Sequence, residues 1–158
     1  MNAHIAGSTG KLLYILLIIY AVFMAAEDIR HRQISLGTSV VFAAGGLLLS
    51  LAAGRSAASL AAAVLPGAAI LLLAVLTRGA IGLGDAVFVA CCAFYLELRA
   101  LSLCVAAAWC MCALTALIMI AGEMLTARRL TAKDRGLPFA AYMLLPLALA
   151  SVRGLAVL

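Results

Sequence analysis

The chain has 158 residues, of which 68% are hydrophobic and 11% are charged, and its mean hydropathy is +1.24. A soluble domain is nearer to half apolar and a quarter charged, so this composition excludes a water-soluble globular protein and predicts a single integral membrane domain over residues 1–158. The net charge of +5 comes from Lys and Arg in short loops between apolar segments, a distribution that indicates membrane topology and argues against nucleic-acid binding.

Six apolar segments follow one another along the chain and predict an all-α, polytopic fold. Their approximate ranges are 11–27, 39–53, 60–77, 82–98, 100–122 and 138–153. Several are shorter than the ~20 residues that a perpendicular helix needs to cross a bilayer, so each must borrow flanking residues. Gly and Ala are frequent inside the segments, and such small residues let helices approach closely in lipid. We therefore expect a tight bundle of six transmembrane helices in a lipid bilayer.

The basic residues divide unevenly between the two ends of these predicted helices. The loops after the first, third and fifth segments carry Arg30, Arg32, Arg78, Arg128, Arg129, Lys133 and Arg135. The termini and the other loops carry Lys11, Arg55, Arg99 and Arg153. Because cytoplasmic loops hold the excess of Lys and Arg, the first group is predicted to be cytoplasmic and both chain termini are predicted to lie outside.

The cysteines lie inside the apolar segments and do not form a pattern typical of metal ligands. They are Cys91, Cys92, Cys104, Cys110 and Cys112. They make no C-x-x-C pair and have no His nearby, which argues against zinc ligation. Cysteine packs well as a small buried hydrophobic residue. We therefore expect no metal site and no cofactor.

Three acidic residues lie at the ends of apolar segments. Glu27 and Asp28 end the first segment, and Asp85 opens the fourth, so all three are predicted at the cytoplasmic edge of the membrane. A carboxylate at such a place is costly and is by default a candidate for a functional role. Two simpler interpretations stay open: Asp28 could pair with a neighbouring arginine, and Asp85 could be a helix N-cap. The other acids, Glu97, Glu123 and Asp134, are interpreted as surface or loop residues.

Three short motifs occur in order along the chain, and together they resemble those of the type IV prepilin peptidases. Residues 82–85 (GLGD) have the G-x-G-D pattern, and residues 28–34 (DIRHRQI) are similar to the D-x-R-x-R-x-I stretch of that family. Residues 137–142 (LPFAAY) resemble the Pro-Phe start of its last core helix. The resemblance covers the whole chain as a minimal catalytic core.

This resemblance implies a membrane-embedded aspartic endopeptidase of the G-x-G-D type, with Asp28 and Asp85 as the catalytic pair and no metal. Its substrates would be prepilin-like proteins, whose basic leader peptide would be cut at the cytoplasmic face of the inner membrane. Gly82 and Gly84 would either contact the substrate backbone or shape the turn into the fourth helix. Neither the individual substrate nor the oligomeric state follows from the resemblance.

The chain departs from the family pattern at three places. Ser35-Leu36 stand where many members have Pro-Asn, and Val87 stands where many have Lys. The cytoplasmic domain with paired C-x-x-C motifs, which larger members use in methylating the new N-terminus, has no counterpart in this sequence. The resemblance therefore implies cleavage without methylation, and the short form is most similar to the peptidases that serve Flp/Tad-type pili.

Three other functions compete with this interpretation. Presenilin-like intramembrane proteases share G-x-G-D but carry their first aspartate in a Tyr-Asp pair deep in a helix, whereas here Glu27-Asp28 ends a helix. A small transporter could use Asp28 and Asp85 to relay protons or bind a cation. A non-catalytic assembly subunit of a pilus or secretion machine would tolerate replacement of both aspartates.

Overall fold

Helices account for all the regular secondary structure in the described part of the chain. The computed structural model describes residues 2–31, 34–78, 81–126 and 137–157, with side chains over 8–31, 34–78, 81–124 and 137–154. Within these ranges the helices are α1 (Asn2–His31), α2 (Leu36–Ala52), α3 (Ala57–Leu76), α4 (Leu83–Cys92), α5 (Leu98–Thr126) and α6 (Phe139–Val157). The predicted all-α class is confirmed. Most of the basic fifth loop lies outside the described residues, as do residues 32–33 and 79–80.

Three of the helices are long and apolar enough to cross a bilayer. These spans are Ser8–His31, Ala57–Leu76 and Leu98–Met124, and the shorter apolar helices are Leu36–Ala52, Leu83–Cys92 and Phe139–Gly154. Large apolar side chains are exposed along the outside of the bundle, as lipid-facing residues are; Leu48, Leu65 and Leu117 are examples. The protein is therefore an all-α membrane protein.

Helix α4 lies at the centre of the bundle. It packs against α2, α3, α5 and α6, and its Phe88 ring lies 5.4 Å from the ring of Tyr20 on α1. Around it, α1 packs against α2 and α6, while α5 packs against α3 and α6. The residues of α4 that face these neighbours, such as Phe88, Val89 and Cys92, are fully buried. A side chain at the first turn of α4 is thus held by most of the bundle.

The fourth helix is shorter than the predicted range 82–98. It ends at Cys92, and residues 93–96 form a turn in which the backbone N–H of Tyr95 and that of Leu96 both donate to the carbonyl oxygen of Cys92. The predicted segment extends past Cys92 because the residues of this turn are apolar. Tyr95 and Leu96 are both buried in the structure. Ten helical residues extend only about 15 Å, half the thickness of a hydrocarbon core.

Two glycines let the neighbouring helices come very close to α4 and its C-terminal turn. A Cβ at Gly67 on α3 would lie 2.7 Å from the backbone nitrogen of Ala90 and 2.8 Å from its Cα. A Cβ at Gly46 on α2 would lie 2.6 Å from the ring of Tyr95. Both glycines are buried in regular helix, so their function here is close approach and not an unusual backbone conformation.

Replacing Gly67 with Ala is expected to lower the free energy of unfolding by about 1–3 kcal/mol, because the added methyl meets backbone atoms that cannot rotate away. Thermal unfolding in detergent micelles, followed by circular dichroism, measures the change. Gly45→Ala is the matched control, since nothing lies within 4 Å of its added methyl and Ala is the better helix former. An equal loss in both variants would contradict the close contact.

Candidate active site

Asp28 continues the buried face of α1. Leu17, Tyr20 and Met24 are fully buried on that helix, and their spacing of three to four residues leads to Asp28, which is 8% exposed. The preceding residue, Glu27, points about 100° away around the helix and is half-buried. Asp28 therefore faces the inside of the bundle because it lies on the same face of α1 as these buried residues.

The N-terminus of α6 meets Asp28 from the other end of the chain. The Asp28 Oδ2 atom accepts a hydrogen bond from the backbone N–H of Ala140, at 2.9 Å. Ala140 is fully buried in the first turn of α6, directly after Pro138 and Phe139. The first N–H groups of a helix have no acceptor within the helix, and this end of the helix attracts negative charge. The Pro-Phe motif thus supplies a backbone donor to the buried carboxylate.

Asp85 lies in the first turn of α4 as its third residue. Gly82 takes the N-cap position, with φ −65° and ψ 130°, so the interpretation of Asp85 as the N-cap is wrong. The backbone N–H of Asp85 donates to the Gly82 carbonyl at 3.1 Å. The Asp85 carboxylate folds back over Gly82, where an added Cβ would lie 3.1 Å from Oδ2. The first turn of α4 therefore presents a half-buried carboxylate above a residue without a side chain.

Gly84 brings two of the motifs into direct contact. A Cβ on Gly84 would lie 3.1 Å from the Cβ of Ile34 and 3.3 Å from its Cγ1 and Cδ1. Ile34 is the last residue of the DIRHRQI stretch, so the end of this stretch packs directly on the G-x-G-D turn. Neither Gly82 nor Gly84 has a positive φ; among the glycines in the described ranges, only Gly54 does. The geometry favours the loop-shaping interpretation through close approach.

Asp28 and Asp85 come together at one end of the bundle. The two carboxylates lie close enough for a charge on one to act on the other, and both lie within electrostatic reach of the thiol of Cys112, which is half-buried on α5. The carboxylates belong to segments 57 positions apart, and the donor Ala140 comes from a third segment. No group of three or more His, Cys, Asp or Glu able to hold a metal ion occurs among the residues placed by the structure.

Both aspartates lie in a part of the chain that matches a known protein family. The model of the type IV leader peptidase family (Peptidase_A24) matches residues 15–118, about two thirds of the chain. The chain belongs to this family. No curated protein and no solved structure matched it. The matched range includes Asp28, Asp85 and the two motif glycines Gly82 and Gly84, whereas residues 137–142 lie beyond it.

Glu27 links the C-terminal end of α1 to the residue that precedes α2. Its Oε2 accepts a hydrogen bond from the backbone N–H of Ser35 at 3.1 Å, and the Ser35 hydroxyl in turn caps α2 by accepting from Thr38 N–H at 3.4 Å. The Ser35 N–H can reach Glu27 because the chain returns to the same end of the bundle within eight residues.

Three neighbours of the two aspartates were not predicted from sequence. The Ala140 donor is a backbone group and leaves no side-chain signal; only the proline before the helix start indicated that a helix N-terminus lies there. Cys112 was interpreted as a packing residue, and Ile34 was read only as part of a motif. Their roles depend on which helices are neighbours, which hydropathy does not report.

Proposed function

We propose that this leader peptidase is an aspartic endopeptidase that removes the N-terminal leader of type IV prepilin-like proteins. The observation that carries the proposal is the pair Asp28 and Asp85: two carboxylates from distant segments, one buried and one half-buried, whose charges act on each other. Membership of the family supports peptidase activity, and the pair supports the aspartic type.

Two adjacent carboxylates cannot both ionise cheaply, so the pair shares one proton over the working pH range. The ionised member takes a proton from a water molecule, whose oxygen adds to the carbonyl carbon of the scissile peptide bond. The protonated member donates to the carbonyl oxygen, and a proton reaches the leaving amide nitrogen as the C–N bond breaks. The proton belongs to the pair as a unit, since the two groups titrate together.

Two contacts restrain the geometry of this pair: the hydrogen bond from Ala140 to Asp28, and the packing of Asp85 over Gly82. The Ala140 N–H restrains Asp28 from the α6 side. Gly82 leaves room for Asp85 to fold back toward the N-terminus of α4. Reacting groups held in position supply a large part of the rate, so these two contacts are the structural basis proposed for catalysis.

The same topology suggests where the reaction occurs. The charge distribution favours a cytoplasmic location for the end that carries both aspartates, with the chain termini on the opposite side of a bacterial inner membrane. A basic leader would remain on that cytoplasmic side by the same rule. The cut is therefore proposed between the leader and the apolar segment of the substrate. A pilus of the Flp/Tad type is the proposed destination of the product.

The direct test is cleavage of a synthetic prepilin peptide by the purified protein in detergent. The peptide carries a Lys-rich leader followed by an apolar helix, and mass spectrometry identifies the products. We expect one cut between the two parts. A transporter would give a different result. It would show proton or cation flux in proteoliposomes, lose this flux in Asp28→Asn, and cleave no peptide.

Replacing Gly82 with Ala is expected to reduce kcat for this cleavage by about tenfold while leaving the fold intact. The added methyl would lie 3.1 Å from Asp85 Oδ2 and must push the carboxylate by a few tenths of an ångström. Misplacing a reacting group by about 1 Å lowers the reaction rate on the order of 10²-fold. Gly37→Ala at the start of α2 is the control, because nothing lies within 4 Å of its added methyl. An unchanged kcat in Gly82→Ala would contradict the tight packing.

A further inference from the structure

Arg55 binds the C-terminal turn of the central helix. It lies in the loop between α2 and α3, at the end of the bundle opposite the aspartates. One terminal nitrogen of its guanidinium donates to the carbonyl oxygens of Ala93 and Phe94, each at 3.3 Å, and the other donates to Leu96 at 3.0 Å. The first nitrogen also donates to Ser50 Oγ at 3.3 Å, and this hydroxyl donates to Phe94 O.

The positive charge of Arg55 offsets the partial negative charge at the C-terminal end of α4. A helix C-terminus leaves carbonyl oxygens unbonded and carries partial negative charge. The planar guanidinium suits three carbonyls at once, whereas an ammonium group does not have this fork of donors. Burial lowers the pKa of the Arg55 guanidinium and the negative charge of Glu97 opposes that shift, so the cation is partly withdrawn from water at this turn.

The sides of α4 are packed by its neighbours, and its position along its axis depends also on its two ends. At about 15 Å it cannot be fixed by matching the thickness of the bilayer, as a full-length span is. Its C-terminal turn is held by Arg55, and also by Tyr95, whose hydroxyl donates to the carbonyl oxygen of Phe42 on α2. Asp85 lies only seven residues, or about 10 Å, from Cys92 along the same rigid helix.

We propose that Arg55 is a positioning residue for leader cleavage, which sets the depth and rotation of α4 and thereby holds Asp85 against Asp28 from the far side of the membrane. This inference rests on the proposed function, because its effect is expressed in the cleavage rate. A movement of α4 by about 1 Å would reduce the rate by on the order of 10²-fold. Arg55 thus has a structural role beyond its positive charge as a topology signal.

The test replaces Arg55 with Lys and compares it with Arg99→Lys. Arg99 is exposed at the same end of the bundle, and both changes keep the charge, so the membrane orientation is unaffected. We expect Arg55→Lys to lose about 10²-fold in kcat with KM unchanged, measured on protein that elutes as the folded species in size-exclusion chromatography. Arg99→Lys is expected to match the wild type.

Hydrogen exchange of the α4 amides gives a readout that does not depend on cleavage. We expect the peptide covering residues 83–92 to exchange faster in Arg55→Lys than in Arg99→Lys. Three results would each overturn the positioning role. They are a wild-type kcat in Arg55→Lys, an activity loss explained fully by a smaller amount of folded protein, and unchanged hydrogen exchange of α4. If the wild type does not cut the peptide, the proposed function fails, and the exchange result still decides whether Arg55 holds α4.

Discussion

Replacing either Asp28 or Asp85 with Asn is expected to reduce kcat for leader cleavage by about 10⁴-fold, the upper end of what one positioned acid or base contributes. Asn has nearly the size of Asp, and at position 28 its side-chain oxygen can still accept the hydrogen bond from Ala140 N–H. The change therefore removes the ionisable group and keeps the contact. Steady-state cleavage of the synthetic prepilin peptide measures the effect.

The adjacent acid provides a matched control for these variants. Glu27→Gln removes a charge one position away, and its side-chain oxygen can still accept from the backbone N–H of Ser35. We expect its kcat to stay close to that of the wild type. The double variant Asp28→Asn/Asp85→Asn should be no slower than the slower single variant, because the two groups act as a unit. Cleavage that persists in both single variants would rule out the pair.

Replacing Ala140 with Pro is expected to reduce kcat by about 10²-fold, as removal of one preorganised donor does in other active sites. Proline is compatible with the first turn of a helix, where the N–H has no partner within the helix, so α6 can still form. The Asp28 carboxylate loses the donor that restrains it at 2.9 Å. The same peptide assay reports the rate, and size-exclusion chromatography reports the fold.

Ala140→Gly separates the donor from the side chain, since it removes the buried methyl and keeps the N–H. We expect Ala140→Gly to retain most of the wild-type kcat. A rate equal to that of Ala140→Pro in this variant would mean that packing at Ala140, and not its hydrogen bond, controls Asp28.

The helical architecture could be predicted because long apolar segments with few charges inside them leave few alternatives in a membrane. The approach of Asp28 to Asp85 at one end followed from the alternation of loops across the bilayer. The helical period of Leu17, Tyr20 and Met24 then explains why Asp28, and not Glu27, faces inward. These features depend on local pattern, which a single sequence contains.

The remaining features depend on contacts between segments far apart in the chain. Hydropathy runs through Tyr95 and Leu96 although α4 has ended, because hydropathy reports burial and not helix continuation. The carbonyls of this turn meet Arg55 from a loop some forty residues earlier. Whether Gly82 contacts a substrate or makes room for Asp85 depends on which atom lies above it, and the sequence does not contain that distance.

The hydrogen bond between Asp28 and Ala140 joins the first helix of the bundle to the last. Asp28 enters the membrane with the first helix, whereas its donor becomes available only after a further 112 residues have been made. Proteolytic competence is therefore expected to appear late, when α6 has inserted beside α1. A nascent chain that stops before this helix would carry both aspartates and still lack the completed site.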